Sequence, residues 1–181
     1  MDEGGTSLIT ARLLVLNLLV KMSENAYSNV ILDKALVESN LTLQDKKFAS
    51  NLFYGVIERQ ITLDYVISKY SSKPIEKLNN EILQILRIGL YQLIFTPSVP
   101  DNAAVNESVI LVKQIKKTSA SGFVNAILRN FIRDKKNIDY PKDRIRSLSI
   151  EYSCPEWLIR KWIKEYGENS IVSLLASTLK K

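Results

Sequence analysis

The fold of this 181-residue chain is decided by residues 80–131, which contain three apolar segments in succession. These are NEILQILRIGLYQLIF (80–95), VPDNAAVNESV (99–109) and GFVNAILRNF (122–131). In each segment apolar residues recur at spacings of three and four, the period of a helix that buries one face. The first segment has only a thin polar stripe through Glu81, Gln84 and Arg87. It therefore predicts a central helix that is buried on nearly all sides.

The rest of the chain shows the same helical periodicity, and almost no segment alternates as a half-buried strand would. We therefore predict an all-α fold. The predicted helices run from a cap at Thr6 or Ser7 to Lys21, from a cap at Ser28 to Glu38, from Thr42 or Leu43 to a bend at 60–62, from that bend to Tyr70, from 80 to 95, from Pro100 to Lys116, and from a cap at Ser119 or Ser121 onward. Pro97 ends the central helix.

A polar stretch before Pro141 predicts a boundary between two parts of the chain. We assign residues 1–138 to the main helical domain and residues 139–181 to the start of a helical linker. This second part should form three shorter helices over about 142–151, 155–166 and 168–179. Gly167 is the expected stop between the last two.

Composition limits the class of protein. The chain is 46% hydrophobic with a formal net charge of +6, which is typical of a globular protein and favours an anionic partner such as nucleic acid. A single cysteine excludes an intramolecular disulfide and fits a cytoplasmic location. The apolar run 13–20 is too short to cross a bilayer, which needs about 20 apolar residues. It predicts a buried first helix and no membrane partner.

Several kinds of chemistry are excluded. The chain has no histidine, so histidine bases and histidine metal sites are absent. Its six glycines are too dispersed for a dinucleotide fingerprint or a phosphate-binding loop. Cys154 precedes Pro155 with no base nearby in the sequence, so a passive cysteine is favoured over a nucleophile. We predict no catalytic residue, no cofactor-binding residue and no metal ligand.

LYQLIF (90–95), which ends the first segment, and the other two segments resemble, in their order and spacing, the NusB family of small all-helical RNA-binding domains. ARLLVLNLLV (11–20) and DKKFASNLFYGVIER (45–59) fit the same pattern in the same order. The resemblance is closer still to the NusB-like amino-terminal domain of Sun/RsmB-type ribosomal RNA cytosine-5 methyltransferases. A Pro-x-Trp-Leu element at 155–158 resembles the start of the connecting region of those enzymes.

This resemblance implies a fragment that binds ribosomal RNA and helps to dock the enzyme on the small subunit. The missing catalytic domain would be a further partner, and S-adenosylmethionine would be the cofactor of the full-length parent. The family's catalytic Pro-Cys pair is not matched, because Cys154 precedes its proline. Two alternatives remain open: a stand-alone NusB-type antitermination factor that binds leader RNA with a ribosomal protein, and a helical protein-interaction module without an RNA role.

The candidate RNA-binding residues lie mainly in a basic region. Between Lys113 and Arg146 there are ten Lys or Arg residues and three Asp residues, a net +7 that exceeds the charge of the whole chain. Charge alone favours phosphate recognition and a solvated basic surface about equally; the resemblance favours RNA. The candidates are Arg12, Lys113, Lys116, Lys117, Asn125, Arg129 and Arg133.

Three of these candidates share one helix. Helical spacing places Asn125, Arg129 and Arg133 on one face, away from the apolar face. For Asn125, however, the preferred interpretation is that it caps or bridges backbone groups between helices. Arg12 fits the position where the resemblance implies a basic cluster.

Two further sets of residues are expected to stabilise the fold and not to bind a ligand. Glu107 is expected to pair with an arginine such as Arg87. The aromatic residues Tyr54, Tyr91, Phe95 and Phe123 lie at helical spacing within apolar faces, so they are assigned to packing.

Overall fold

The computed structural model describes residues 10–24 and 29–179. These residues form ten α-helices and no β-strand, which confirms the all-α prediction. The helices are α1 (Ala11–Glu24), α2 (Asn29–Glu38), α3 (Leu43–Glu58), α4 (Gln60–Tyr70), α5 (Asn80–Phe95), α6 (Asp101–Gln114), α7 (Ser121–Arg133), α8 (Arg144–Tyr152), α9 (Glu156–Tyr166) and α10 (Ile171–Thr178). No described helix is both long and apolar enough to cross a membrane.

Helix α5 is the centre of the bundle, as its sequence predicts. It begins and ends at the predicted residues, and α1, α3, α4, α6 and α7 pack around it. Asn79 caps it, because its side-chain oxygen accepts a hydrogen bond from the backbone amide of Ile82. Ten of its sixteen residues are buried. Because α6 and α7 both pack against this helix, it fixes their positions.

The polar residues of α5 are satisfied by protein partners. Arg87 is buried and makes two parallel hydrogen bonds of 2.7 Å each to the carboxylate of Asp64 on α4. Gln92 is also buried and donates to the carbonyl of Ile88. The predicted pairing of Arg87 with Glu107 is wrong, since Asp64 on the neighbouring helix α4 occupies the guanidinium.

The ends of the early helices follow local capping chemistry. Leu13 donates its backbone amide to the Thr10 hydroxyl, so Thr10 caps α1. The predicted caps Thr6, Ser7 and Ser28 lie outside the described residues. Thr42 caps α3 as predicted. Arg59 is the only residue between the end of α3 and the start of α4, so the helix is interrupted one residue before the predicted bend.

Helices α6 and α7 both end with lysine in the left-handed conformation. Lys116 after α6 has φ 59°, and Lys135 and Lys136 after α7 have φ 58° and 55°. The amide of Lys117 bonds to the carbonyl of Val112, and that of Lys136 to the carbonyl of Phe131. This is the Schellman arrangement, in which glycine usually occupies the left-handed position. Here each helix end instead carries a cation beside its negative pole.

The segment after α7 has a small core of its own and is bound to α4. Leu148, Cys154, Ile159, Ile171 and Leu175 form this second apolar cluster. The Thr62 hydroxyl donates to the carbonyl of Ile150 at 2.5 Å, and the Ile61 amide donates to the Ser153 hydroxyl at 3.0 Å. The Tyr65 hydroxyl donates to the carbonyl of Asp139 at 2.5 Å. The three predicted helices are present here as α8, α9 and α10.

Candidate nucleic-acid interface

Helices α6 and α7 form an antiparallel hairpin. A short 3-10 turn, Thr118–Ala120, joins them at one end. At the other end Arg129 donates to the side-chain oxygen of Asn102 at 2.8 Å, and Lys136 pairs with Asp101 at 2.9 Å. The start of α6 therefore lies beside the end of α7.

The hairpin divides seven of the ten basic residues of this region into two groups. We call Arg129, Arg133, Lys135 and Lys136 the α7 group, and Lys113, Lys116 and Lys117 the α6 group. Lys113 follows Asn102 by eleven positions on α6, which corresponds to about 16 Å along the helix axis. The predicted site residues on this hairpin thus share one pair of helices but do not form a single cluster.

Three of the four cations in the α7 group have no acidic partner among the described residues, while Lys136 is paired with Asp101. Arg129 and Arg133 are exposed, and they donate to the neutral side-chain amides of Asn102 and Asn130. Lys135 is exposed and makes no ion pair within the described part of the chain. Guanidinium groups held by neutral amides keep their full charge, so this end of the hairpin is suited to phosphate binding.

Asn125 lies one helical turn before Arg129 and is exposed. It makes no side-chain hydrogen bond to another described residue, so the described residues supply no partner for the capping or bridging role expected of it, and that role stays a prediction. Ala126 beside it is exposed as well, while Ile127 and Phe131 are buried. The predicted polar face of α7 is therefore present, and the amide of Asn125 is available to a ligand.

The α6 group contains two free lysines and one paired lysine. Lys113 and Lys116 are exposed and make no ion pair with a described residue. Lys117 pairs with Glu81 in the first turn of α5. The charge of Lys117 is therefore partly neutralised, and Lys113 and Lys116 supply most of the positive field at this end.

Arg12 has protein partners on both sides. Its Nε donates to the side-chain oxygen of Gln92 at 2.8 Å, and its guanidinium carbon lies 4.9 Å from the centre of the Phe48 ring. Burial lowers the pKa of Arg12, and the nearby carboxylates of Glu107 and Asp45 oppose that shift. Arg12 thus connects α1 to α3 and α5, and its predicted contact with RNA stays a prediction.

Sequence reasoning overlooked three residues at the end of the hairpin where α7 ends. Lys135 and Lys136 were counted in the basic region but not selected, although their position just after α7 places them at its end. Nothing in the sequence marks Asn102 as a partner of Arg129, because the two residues come close together only when the hairpin folds. The aromatic assignments agree with the structure: Tyr54, Tyr91, Phe95 and Phe123 are half-buried and pack on the main core.

Cys154 is placed for packing. It is buried in the second apolar cluster, and desolvation raises the pKa of its thiol. A raised pKa disfavours the thiolate that a nucleophile requires. Within the described ranges, no three acidic, cysteine or histidine side chains lie close enough together to hold a metal ion.

Comparison with known proteins identifies the domain. A family model described as the NusB family matches residues 9–133, which include α1 to α7. The chain belongs to the NusB family. The predicted resemblance is thereby confirmed, and the hairpin of α6 and α7 is the last part of the region that matches the family.

Two relatives are named as probable ribosomal RNA small subunit methyltransferase B. The Bacillus subtilis protein is 34% identical over 87% of this chain, and the Synechocystis protein is 36% identical over 93%. This chain spans only 36% and 38% of their lengths. The transcription antitermination protein NusB of Campylobacter jejuni is 29% identical over 67% of this chain and 92% of its own length.

A solved structure supports the same fold. The crystal structure of a protein designated PH0851 superposes with a TM-score of 0.74 over 94% of this chain and 38% of that chain. The sequence identity is 14%, so this likeness concerns the fold alone.

Proposed function

We propose that this NusB-family chain is the RNA-binding part of a ribosomal RNA cytosine-5 methyltransferase and helps to dock that enzyme on small-subunit ribosomal RNA. The observation that carries the proposal is the set of free cations at both ends of the α6–α7 hairpin. The names of the Bacillus and Synechocystis relatives support ribosomal RNA as the partner.

Binding would begin with the backbone phosphates. Each phosphate neutralised by Lys or Arg releases counterions and adds affinity that does not depend on sequence. Arg129 and Arg133 can each hold a phosphate through two parallel hydrogen bonds. Asn125 on the same face can bond to a base edge or a ribose hydroxyl. Lys113 and Lys116 extend the contact along the hairpin.

The division of the chain at residue 138 is part of the proposal. The main core includes Phe131 as its last buried member, with Ile138 packed against it. The second cluster starts with Ile145 and Leu148. This separation supports an RNA-binding unit over 1–138 and the start of a linker over 139–181, bound to the first unit through α4.

Methyl transfer is assigned to other parts of the proposed parent enzyme. S-adenosylmethionine would be the methyl donor there. The residues of this chain do not fit a site for it, because the glycines are dispersed and Cys154 is buried among apolar side chains. The role of this chain is to bind the RNA and hold it in position, while methyl transfer takes place in another part of the enzyme.

The test is charge reversal on α7. Arg129→Glu should weaken binding of a small-subunit ribosomal RNA fragment by about tenfold. It should also reduce the slope of log affinity against log salt by about 1. Fluorescence anisotropy across a salt series measures both quantities.

A matched control is Arg160→Glu on α9, since Arg160 is also exposed and lies outside the hairpin. It should leave both quantities nearly unchanged. Equal effects of the two variants would contradict the assignment of this face. Absence of salt-sensitive RNA binding by the unsubstituted chain would favour the protein-interaction module instead.

The second candidate is a stand-alone antitermination factor. It is favoured by the antitermination protein of Campylobacter, 92% of whose length matches. The methyltransferase is preferred because its relatives align with 87% and 93% of this chain, more than the residues up to the end of α7 can supply, so the alignments extend into the segment after α7. The mass of the native protein, measured by immunoblot and intact mass spectrometry, separates the two. A product well above 20.6 kDa supports the methyltransferase, and one of that size supports the factor.

A further inference from the structure

A pocket of about 420 Å³ lies between α3 and the end of α5. Its volume falls within the range of about 300–1,000 Å³ that is usual for ligand sites. Phe48, Leu52 and Gly55 recur at spacings of four and three, so they share the face of α3 that lines it. The other lining residues are Asn51, Glu58, Tyr91, Phe95, Thr96 and Ser98. None of these residues belongs to the α6 group or the α7 group, so the pocket uses residues outside the proposed RNA interface.

Gly55 allows the pocket to have aromatic walls. A Cβ atom added at this position would overlap the ring of Tyr91, so only glycine lets that ring lie against the backbone of α3. Phe95 follows Tyr91 by one helical turn, and the two ring centres are 5.4 Å apart with planes tilted by 38°. Phe48 supplies a third ring from α3. All three rings are half-buried, so part of their surface is open to a ligand.

The charge of the lining favours a cation. Glu58 is exposed and is the only charged residue among the described residues that line the pocket. Arg12 contacts the Phe48 ring but does not line the pocket, and the carboxylates of Glu107 and Asp45 lie near enough to act on its charge. Aromatic faces add to this preference, because the ring quadrupole attracts positive charge.

Two of the three rings already hold a guanidinium group from the same chain. The guanidinium carbon of Arg12 lies 4.9 Å from the centre of the Phe48 ring, and that of Arg59 lies 4.5 Å from the centre of the Phe95 ring. A guanidinium is planar and less strongly hydrated than an ammonium, so it stacks well on aromatic rings. A ring has two faces, and a ring that holds one guanidinium on one face can present the other to a ligand.

Hydrogen-bond acceptors lie beside these rings. Asn51, Thr96 and Ser98 each carry a side-chain oxygen, and none of the three makes a side-chain hydrogen bond to another described residue. A guanidinium has five N–H donors and no acceptor. The acceptors of the pocket therefore match the donors of an arginine side chain.

We propose that this pocket binds an arginine side chain of a protein partner, with the guanidinium stacked on Tyr91 and Phe95 and paired with the carboxylate of Glu58. The aliphatic part of that side chain would lie on Leu52 and Phe48. The partner is a protein with an exposed arginine. This site does not depend on RNA binding, and it adds a protein contact to the proposed function.

The experiment uses the capped tripeptide acetyl-Gly-Arg-Gly-amide, titrated into the ¹⁵N-labelled chain and followed by NMR. Amide signals of residues 48–58 and 91–98 should shift. The same peptide with citrulline in place of arginine has nearly the same shape but no charge, and it should bind about fivefold more weakly. The lysine peptide should also bind more weakly, because an ammonium is more strongly hydrated and does not stack as a plane.

A charge-removing variant tests the carboxylate. Glu58→Gln should weaken binding of the arginine peptide about threefold and leave binding of the citrulline peptide unchanged. Glu76→Gln is the matched control, since Glu76 is exposed and does not line the pocket. Nuclear Overhauser effects between the Cδ protons of the peptide arginine and the ring protons of Tyr91 and Phe95 test the site in the unsubstituted protein.

Three results would overturn the arginine site. These are equal binding of the arginine and citrulline peptides, equal binding of the arginine and lysine peptides, and equal effects of Glu58→Gln and Glu76→Gln. None of them bears on the proposed function, which is tested with RNA and with substitutions on α7. Loss of RNA binding in Arg129→Glu with no arginine site would leave the proposed function in place.

Discussion

Helices α5 and α7 have comparable lengths, but they direct their polar residues in opposite ways. In α5 the charged and amide side chains of Arg87, Gln84 and Gln92 are buried and bonded to protein. In α7 the polar side chains of Asn125, Arg129 and Arg133 are exposed. Stability should therefore depend on α5 and ligand binding on α7, and substitutions should separate the two properties.

The largest effect is expected where α5 is bound to α4. Asp64→Ala leaves the guanidinium of Arg87 buried without a carboxylate, which should lower the free energy of unfolding by about 3 kcal/mol. Urea denaturation followed by circular dichroism measures it. Asp33→Ala on α2, where the carboxylate is exposed, is the control and should change stability by less than about 0.5 kcal/mol. Similar losses for both variants would contradict the importance of the buried pair.

Two glycines sharpen the comparison, because substitution by alanine should lower the free energy of unfolding at one and raise it at the other. At Gly89 in α5 the added Cβ would lie 2.7 Å from the Ser108 hydroxyl and 2.8 Å from a methyl group of Leu128, both buried. Overpacking should outweigh the better helix propensity of alanine and lower the free energy of unfolding by about 1–2 kcal/mol.

Gly122 in α7 is the matched position. It is exposed and its added Cβ meets no neighbour, so Gly122→Ala should raise the free energy of unfolding by about 0.5 kcal/mol. Thermal and urea denaturation of the two alanine variants in parallel give the comparison. A loss at Gly122 comparable with that at Gly89 would show that α7 is packed as tightly as α5.

The smallest change in stability is expected from the exposed arginines of α7. Arg129→Gln/Arg133→Gln should leave the free energy of unfolding within about 0.5 kcal/mol of the unsubstituted protein. The same double variant should reduce the salt slope of RNA binding by about 1.5, since two phosphate contacts are removed. A loss of stability without a change in slope would reverse the roles assigned to the two helices.

Local patterns were sufficient to predict most of the helices. The bounds of α5 follow from an unbroken apolar period that ends before Pro97, and the Thr42 cap follows from a hydroxyl placed just before an apolar period. The start of α1 was harder, because Thr6, Ser7 and Thr10 offer the same chemistry and spacing does not distinguish among them. The described structure shows the bond to Thr10.

Contacts between helices could not be predicted from spacing. Which carboxylate meets Arg87 depends on how α4 and α6 pack against α5, so Asp64 could not be chosen over Glu107. The basic region appeared as one run in the sequence, yet the hairpin separates its two groups by about 16 Å.

The bonds between α4 and the last segment have a consequence for the order of folding during synthesis. Ile61 donates to Ser153, a residue 92 positions later, and Thr62 donates to Ile150, 88 positions later. At about 5–20 residues per second, the ribosome completes these acceptors about 5–20 s after the donors. Because domains fold in order as they emerge, the bundle should be formed before α8 is available. The last segment then docks onto a surface that already exists, so water occupies those donors of α4 during the interval.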